Sequence, residues 1–339
     1  MRTLVYLGPR RMELRDAPPP AAGPEEVVVN VQASGICGSD LHGYLGKSLN
    51  RVPPLVMGHE FSGTVTAVGP GVRDLAVGSP VAVYPLITCG RCPACRRGDT
   101  SQCRSRQVIG VHRPGGFADL VAVPRASVVP LPPGVSLFTA SLAEPLANAV
   151  HIFDRNARGL PRRIAIFGAG TQGLMALHLA RLLSPVVLVS VDLVPARLAV
   201  ARRLGATAAL DGRAADVAGR IRELTDGDGV DLAIEAVGSS PTRQAAVACV
   251  RSGGRVALLG LGEETTPFNA VDIVNREIEV HGSYAYTYDN FVHAVEFLRS
   301  GLVEGEWARP YPLEAGPEVF ERLTTDPGDL IKAVLTPAS

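Results

Sequence analysis

The sequence predicts an α/β protein built from two parts, a β-rich domain and a doubly wound parallel sheet. Three observations carry this. Apolar residues alternate at Val27, Val29, Val31 and Ala33, the period of a half-buried strand, and short apolar segments bounded by Gly and Pro follow at 64–68, 80–84 and 117–123. The turn Gly168-Ala169-Gly170-Thr171-Gln172-Gly173 lies between an apolar strand at 164–167 and an apolar helix at 174–180. Four cysteines crowd one short segment, at Cys89, Cys92, Cys95 and Cys103.

A chain of 339 residues is long for a single core and points to more than one domain. Its hydrophobic fraction of 46% is that of a globular protein. The formal net charge of zero argues against nucleic acid or an acidic surface as the main partner. Lys47 and Lys332 are the only lysines among many arginines, which reads as compositional bias without chemical content. No apolar run approaches the roughly 18–20 residues that span a bilayer. No signal-peptide pattern opens the chain and no Asn-x-Ser/Thr sequon occurs, so no membrane partner and a cytoplasmic location are expected.

Just after the first strand comes Gly35-Ile36-Cys37-Gly38-Ser39-Asp40-Leu41-His42, then Gly58-His59-Glu60. Cys37, His59 and Glu60 offer a thiol, an imidazole and a carboxylate, the side chains that bind zinc. A catalytic zinc takes three protein ligands and keeps an exchangeable fourth position. Ser39 and His42 can carry a proton away from whatever occupies it. Taken singly, each of these residues reads as structural; taken together they read as a site. The segment Gly46-Lys47-Ser48 resembles the tail of a phosphate loop, but Leu41 stands where that motif needs glycine.

The cysteine segment Cys89-Gly-Arg-Cys92-Pro-Ala-Cys95, closed by Cys103, reads as a tetrathiolate zinc site, which is structural because it leaves no position for substrate. Arg91, Arg96, Arg97, Arg104 and Arg106 could offset its negative charge. The rival reading is a zinc ribbon that binds nucleic acid through those arginines. Cys249 lies in an apolar helical stretch and reads as an inert core thiol.

In the second half, Gly168 makes the tight turn, Gly170 lets the backbone approach a pyrophosphate, and Gly173 lets the helix pack on the strand. The helix N-terminus then faces the phosphate charge. A second strand, 186–191, ends at Asp192, about twenty residues on. A carboxylate there accepts hydrogen bonds from the adenosine ribose and repels a 2′-phosphate, so NAD is favoured over NADP. A helix is expected from Pro195 to Gly205, and strands at 231–237, 255–259 and 278–281. A last amphipathic helix carries Phe291, Val292, Val295 and Leu298 on one face, with Asp289 as its expected cap and Gly301 as its stop. The Asp226–Gly229 turn reads as a plain loop.

With both halves read, the chain resembles the zinc-dependent medium-chain alcohol dehydrogenases, closest to the branch with polyol (sorbitol) and threonine dehydrogenases. The residues that carry the resemblance are Gly35–His42, Gly58–Gly63, the four-cysteine lobe, Glu144-Pro-Leu-Ala147, and Gly168–Gly173 with Asp192. The resemblance implies a GroES-like catalytic domain at 1–148 with a structural zinc lobe at 86–106, a Rossmann NAD-binding domain at 149–281, and a return to the catalytic domain at 282–339. It places the active site in the cleft between the domains. It makes Cys37, His59 and Glu60 the catalytic zinc ligands, with Glu144 an occasional fourth ligand or part of the proton route. Ser39 and His42 become the proton relay, by way of the cofactor ribose. Gly168, Gly170, Gln172, Gly173, Asp192, Arg197, Val237, Leu259, Leu261, Ser283 and Tyr284 become the contacts to NAD.

The expected activity is therefore zinc-dependent, NAD-linked interconversion of a secondary alcohol or polyol and its ketone, with one catalytic and one structural zinc per chain. The expected partner is a small alcohol, in a homotetramer or homodimer. Threonine or a sugar phosphate is the alternative substrate within the family. A non-catalytic NAD- or zinc-sensing protein, or one that binds nucleic acid, is the alternative from another class. Polyol- and threonine-active relatives often carry an arginine where this chain has Ala285, which implies a less polar pocket.

Overall fold

The computed structural model describes residues 1–156, 159–301, 303 and 305–337. The chain forms two compact units, Met1–Glu144 with Thr287–Ser339, and Pro145–Tyr286.

The first unit is organised by one sheet. Glu26–Gly35 lies inside it, paired antiparallel with Glu60–Val68, with Leu120–Pro124 and with the C-terminal strand Lys332–Thr336. Pro80–Val83 and Val128–Pro130 extend it on one side, and Ala308–Pro312 on the other. Val27, Val29 and Val31 turn inward as their alternation predicts, onto Phe61, Val65, Val81 and Val123. A second core joins Leu4, Met57 and Phe117 to Phe320 and Leu335, so the last segment of the chain is packed into the first. Strand register is what brings distant residues together here. Gly35 pairs with Glu60, and Val334 pairs with Gly35. The segment that leaves the first strand towards Cys37 therefore has both Glu60 and the C-terminal strand beside it.

The second unit is a six-stranded sheet whose pairs are all parallel. Its order is Ala208–Asp211, Val187–Asp192, Arg163–Phe167, Val230–Glu235, Val250–Leu258, Glu279–Gly282. Ile164, Ala165 and Ile166 are fully buried, as a central parallel strand covered on both faces requires. The chain moves outward in opposite directions from Arg163–Phe167. The crevice at the carboxyl ends of the strands on either side of that reversal is the ligand-binding place of such sheets.

Two local expectations need correction. The strand expected over 231–237 stops at Glu235, because the Glu235 carboxylate turns back to accept the amides of Val237 (2.9 Å) and Gly238 (2.7 Å). The last amphipathic helix spans Tyr288–Arg299 and is capped by Thr287, not Asp289. Thr287 Oγ1 accepts the Asn290 amide at 3.2 Å while Asn290 Oδ1 accepts the Thr287 amide at 3.0 Å. That reciprocal pair satisfies two otherwise free donors, whereas Asp289 is already inside the first turn.

Candidate metal centres and dinucleotide site

Cys37 ends the extended segment and caps the short helix Gly38–Tyr44, with backbone φ −88° and ψ 154°. Glu60 opens the strand that pairs beside it, and His59 immediately precedes that strand. One ligand atom from each of Cys37, His59 and Glu60 lies within 4.8 Å of the others. His59 and Glu60 are buried and Cys37 is half-buried.

The surroundings fit a divalent cation. Glu60 Oε2 is paired with Lys332 Nζ, which also donates to the Ile36 carbonyl at 2.9 Å. Glu60 Oε1 is buried with no hydrogen-bond partner among the described residues, which leaves one carboxylate oxygen for a metal. A side chain at Gly35 would overlap both Glu60 Oε2 and the Lys332 stem, so glycine is what lets the two meet. Behind His59, Asp40 Oδ1 lies 3.3 Å from Nδ1, close enough for ionic contact although not aligned as a hydrogen bond. That contact directs the other ring nitrogen away from the carboxylate, the arrangement of a metal-ligating histidine. Burial opposes ionisation of Asp40, but His59, Arg51 and the Cys37 amide outweigh it and hold the carboxyl well below its ordinary range. Burial likewise disfavours a charged His59, yet Asp40 and Cys37 hold the ring well above the ordinary histidine value. Lys332 is buried too, and Glu60, Cys37 and Glu144 keep it charged. The acidic groups Cys37, Asp40, Glu60 and Glu144 thus face Arg51 and Lys332 as the nearby bases.

Ser39 is half-buried and His42 exposed, three residues apart on the same short helix and so on one face of it. Glu144 is 8% exposed at the start of the helix Ala143–Asn156.

The four lobe thiols also lie within 4.8 Å of one another. Cys92 caps the short helix Pro93–Arg96, its Sγ is 3.5 Å from that of Cys95, and the Cys89 amide reaches Cys103 Sγ at 3.4 Å. The Cys95 amide pulls Cys92 down to about 6, and burial among the other sulfurs pushes Cys95 up to about 11. Four sulfurs this close ionise together only around a cation. Backbone amides of Arg91, Cys92, Cys95 and Arg104 point at Cys89 and Cys92. Of the arginine side chains, Arg97 pairs with Asp99 at 3.4 Å and Arg106 donates to the Ser101 carbonyl. Much of the charge offset comes from the backbone. Changing Cys95 to Ala is expected to lose the lobe zinc and, because a closed zinc site contributes folding energy directly, to lower the melting temperature by roughly 10 °C or more. Elemental analysis with a thermal melt checks it; a zinc-depleted variant that melts with the wild type contradicts it.

The parallel-sheet unit fits a dinucleotide. The helix Thr171–Leu182 starts at Gly170, where an added side chain would point into open space, while one at Gly173 would overlap the Gly168 carbonyl. The first-turn amides of such a helix have no partner within it and suit a pyrophosphate. Gln172 Oε1, Arg197 Nε and Ser283 Oγ are buried without a hydrogen-bond partner among the described residues, all beyond carboxyl ends of strands. Val237 (46%), Leu261 (71%) and Tyr284 (49%) expose apolar surface beyond three neighbouring strand ends, with Leu259 half-buried between. Asp192 Oδ2 accepts the Ala169 amide at 2.7 Å and Oδ1 the Val194 amide at 2.9 Å, and Arg197 Nη1 is 4.0 Å away. The aspartate therefore ties the glycine turn to the second strand while keeping free lone pairs.

The sequence reading missed Asp40, Arg51, Lys332 and Glu235. Lys332 carried a signal. A lone lysine inside Ile331-Lys332-Ala333-Val334-Leu335 is expected to be buried, and a buried lysine needs a carboxylate. Glu235 carried a weaker one, as an acid inside the apolar run Leu232-Ala233-Ile234-Glu235-Ala236-Val237, and Asp40, among Gly38, Ser39 and His42, carried none. Arg51 carried none, since it sits in a loop with Leu49 and Val52 exposed on either side.

A zinc-type donor set beside a structural thiolate lobe, in a chain that also carries a dinucleotide fold, defines a zinc-dependent dehydrogenase. Two family models agree: the alcohol dehydrogenase GroES-like domain over residues 23–133 and the zinc-binding dehydrogenase domain over 173–300. The chain belongs to the zinc-dependent medium-chain alcohol dehydrogenases, and it is an oxidoreductase of the zinc and NAD(P) type. It is 34% identical to sorbitol dehydrogenase of Bacillus subtilis, covering 99% of this chain and 97% of that one. It is 31% identical to L-galactonate-5-dehydrogenase of Escherichia coli, with 99% of each covered. Among solved structures, a zinc-binding dehydrogenase of Sinorhizobium meliloti bound to NADP superposes with a TM-score of 0.93 at 31% identity. Alcohol dehydrogenase TADH of Thermus sp. ATN1 gives 0.91 at 32%. Each covers 99% of this chain and 99% of its own. No helix among the described residues is long and apolar enough to cross a membrane.

Proposed function

We propose that this chain is an NAD-linked dehydrogenase that interconverts a secondary alcohol or polyol and its ketone. The observation that carries the reading is the convergence of one donor atom each from Cys37, His59 and Glu60 within 4.8 Å, with Glu60 Oε1 left without a hydrogen-bond partner among the described residues. A zinc ion held there supplies Lewis acidity towards an alcohol oxygen, and a nicotinamide supplies the hydride acceptor. Cys37 and His59 bind, and Glu60 offers Oε1 while Lys332 holds Oε2. Asp40 orients His59. Ser39, half-buried, takes up the alcohol proton at Oγ, and His42, exposed, passes protons on to water. Glu144 adds negative charge near Lys332 and serves the same proton route or the metal. The glycine turn, Gln172, Asp192 and Arg197 orient the adenosine end of NAD. Val237, Leu259, Leu261, Ser283 and Tyr284 orient the nicotinamide end.

The relative named for sorbitol favours a polyol as substrate class. Ala285, in place of an arginine, favours substrates without a charged group at that point; its φ of 55° belongs to a tight backbone turn. We expect linear polyols and vicinal diols to be oxidised at least about tenfold more efficiently than threonine or sugar phosphates, a difference of roughly 1.4 kcal/mol in barrier. NADH absorbance across a panel of alcohols, polyols, threonine and sugar phosphates tests this. Preference for a phosphorylated sugar overturns the substrate class, and absence of turnover across the panel overturns the activity.

Assembly as a homotetramer or homodimer is part of this reading. The helix Ala270–Asn275 supports it, since it buries none of its residues and leaves Val271 and Val274 in water beside the open edge of Glu279–Gly282. All six cysteines are free of disulfides, which suits a reducing, cytoplasmic setting.

A further inference from the structure

We propose that Arg51 is a positioning residue that holds the proton-accepting hydroxyl of Ser39 against the carboxylate behind His59. The proposal rests on the functional reading above, in which Ser39 takes the alcohol proton and His59 binds the metal.

Arg51 belongs to a surface loop whose Leu49 is 97% and Val52 70% exposed, yet Arg51 itself is 7% exposed. Burying a guanidinium is costly unless it is paired, so specific partners must hold it inward. They are both on the helix that carries the site. Arg51 Nη2 donates to Ser39 Oγ at 3.0 Å and to Asp40 Oδ1 at 3.0 Å. The same Asp40 oxygen lies 3.3 Å from His59 Nδ1, and its other oxygen accepts the Cys37 amide at 3.1 Å. One nitrogen of Arg51 thus joins Ser39 to the carboxylate that touches both Cys37 and His59.

The helix is shaped for this arginine. A side chain at Gly43 would overlap Arg51 Cδ, so the bare backbone of Gly43 is the path along which Arg51 reaches Ser39 and Asp40. Gly43 lies four residues after Ser39 and three after Asp40, so it neighbours each of them on the helix surface.

The chemistry explains the use. Arginine only donates and does not lose its proton under ordinary conditions. Ser39 Oγ must therefore accept from Arg51, which turns the serine hydrogen away from the guanidinium and leaves it for the next acceptor. Asp40 would otherwise compete for that hydrogen. Arg51 and the Cys37 amide donate to Asp40, which also stays in ionic contact with His59, so its oxygens are already engaged. Arg51 gives the relay a direction and keeps Asp40 committed to His59.

The experiment uses the zinc-loaded full chain, with R51M, R51K, G43A, S39A and the double variant R51M/S39A. R51M is expected to lower kcat by roughly tenfold to a hundredfold, as for a lost hydrogen bond to a charged group, with KM changed less than about threefold. R51K is expected to restore part of the loss, and G43A to reproduce it by displacing the side chain without removing its charge. Because Arg51 acts in part through Ser39, R51M should cost clearly less on the S39A background than on the wild type. In cobalt-substituted protein, which needs no substrate, R51M and G43A are expected to shift the visible bands of the Cys37–His59 site with metal content unchanged. Additive losses in the double variant overturn the proposal, as do wild-type kinetics in R51M. Unchanged cobalt spectra in both R51M and G43A also overturn it. If R51M fails to fold, R51K and G43A decide by the same readouts. A wild-type chain that oxidises no alcohol removes the functional reading itself, whereas unchanged variants beside an active wild type remove only the role of Arg51.

Discussion

Changing Cys37 to Ala is expected to remove one of two zincs per chain and to stop turnover while leaving the fold in place. Cys37 is one of three candidate donors at its cluster, and loss of one leaves His59 and Glu60 to hold an ion. Two protein ligands fall short of the three that catalytic zinc sites use. Lewis-acid activation contributes several kcal/mol to such a reaction, so turnover should fall by at least about a thousandfold. Stability should change little, by about 1 kcal/mol, because Cys37 is half-buried and its amide still donates to Asp40 at 3.1 Å. Glu60 also keeps Lys332. The outcome is read by elemental analysis, NADH absorbance and a thermal melt on the same preparation. It contrasts with Cys95→Ala, where the metal is lost together with stability. A fully active wild type carrying a single zinc would mean that one of the two clusters is misassigned.

What could be read from the sequence follows the same division. Cys37, His59 and Glu60, the four lobe cysteines and the glycine turn stand close in sequence or at spacings that only a few chemistries use, so residue type and spacing sufficed to single them out. Five of the six parallel strands were legible as separate apolar runs, whereas Ala208–Asp211, whose apolar run is only Ala-Ala-Leu, was not. The residues that support the site were not legible, because long-range contacts bring them there. Lys332 reaches Glu60 across 272 positions and the Ile36 carbonyl across 296, through a C-terminal strand whose partner no local pattern names. The scarcity of lysine looked like bias alone, and it concealed the one lysine that is buried against Glu60. At Tyr288–Arg299, Thr287 and Asp289 were both chemically able to cap. The choice fell to Thr287 because Asn290 stands three residues on and completes the reciprocal pair.

Replacing Asp192 with Asn or Ser is expected to move cofactor preference from NAD towards NADP by two to three orders of magnitude. Asp192 ends the second strand of the parallel sheet beside the glycine turn, where the adenosine ribose of a dinucleotide belongs. Its carboxylate, 8% exposed, would stand close to a 2′-phosphate. Like charges about 4 Å apart cost roughly 4 kcal/mol at an effective dielectric of about 20, which is near a thousandfold in selectivity. Arg197 works against this. Its Nη1 lies 4.0 Å from Asp192 Oδ2, and its Nε is buried without a partner among the described residues. With the carboxylate gone, that guanidinium is released to a phosphate, so the same substitution removes repulsion and frees a cation. The structure adds a condition on the choice of substitution. Asp192 also accepts the amides of Ala169 and Val194, and a residue without an acceptor would leave both amides short, at about 1–3 kcal/mol each. Asn keeps one acceptor and holds the glycine turn, so its kinetics report on charge and not on a collapsed loop. Steady-state kcat/KM with NAD and NADP on wild type and Asp192→Asn, beside a melt of each, decides the matter. The relative solved with NADP gives the opposite outcome real weight. A wild type that uses both cofactors equally would mean that Arg197, not Asp192, governs the choice.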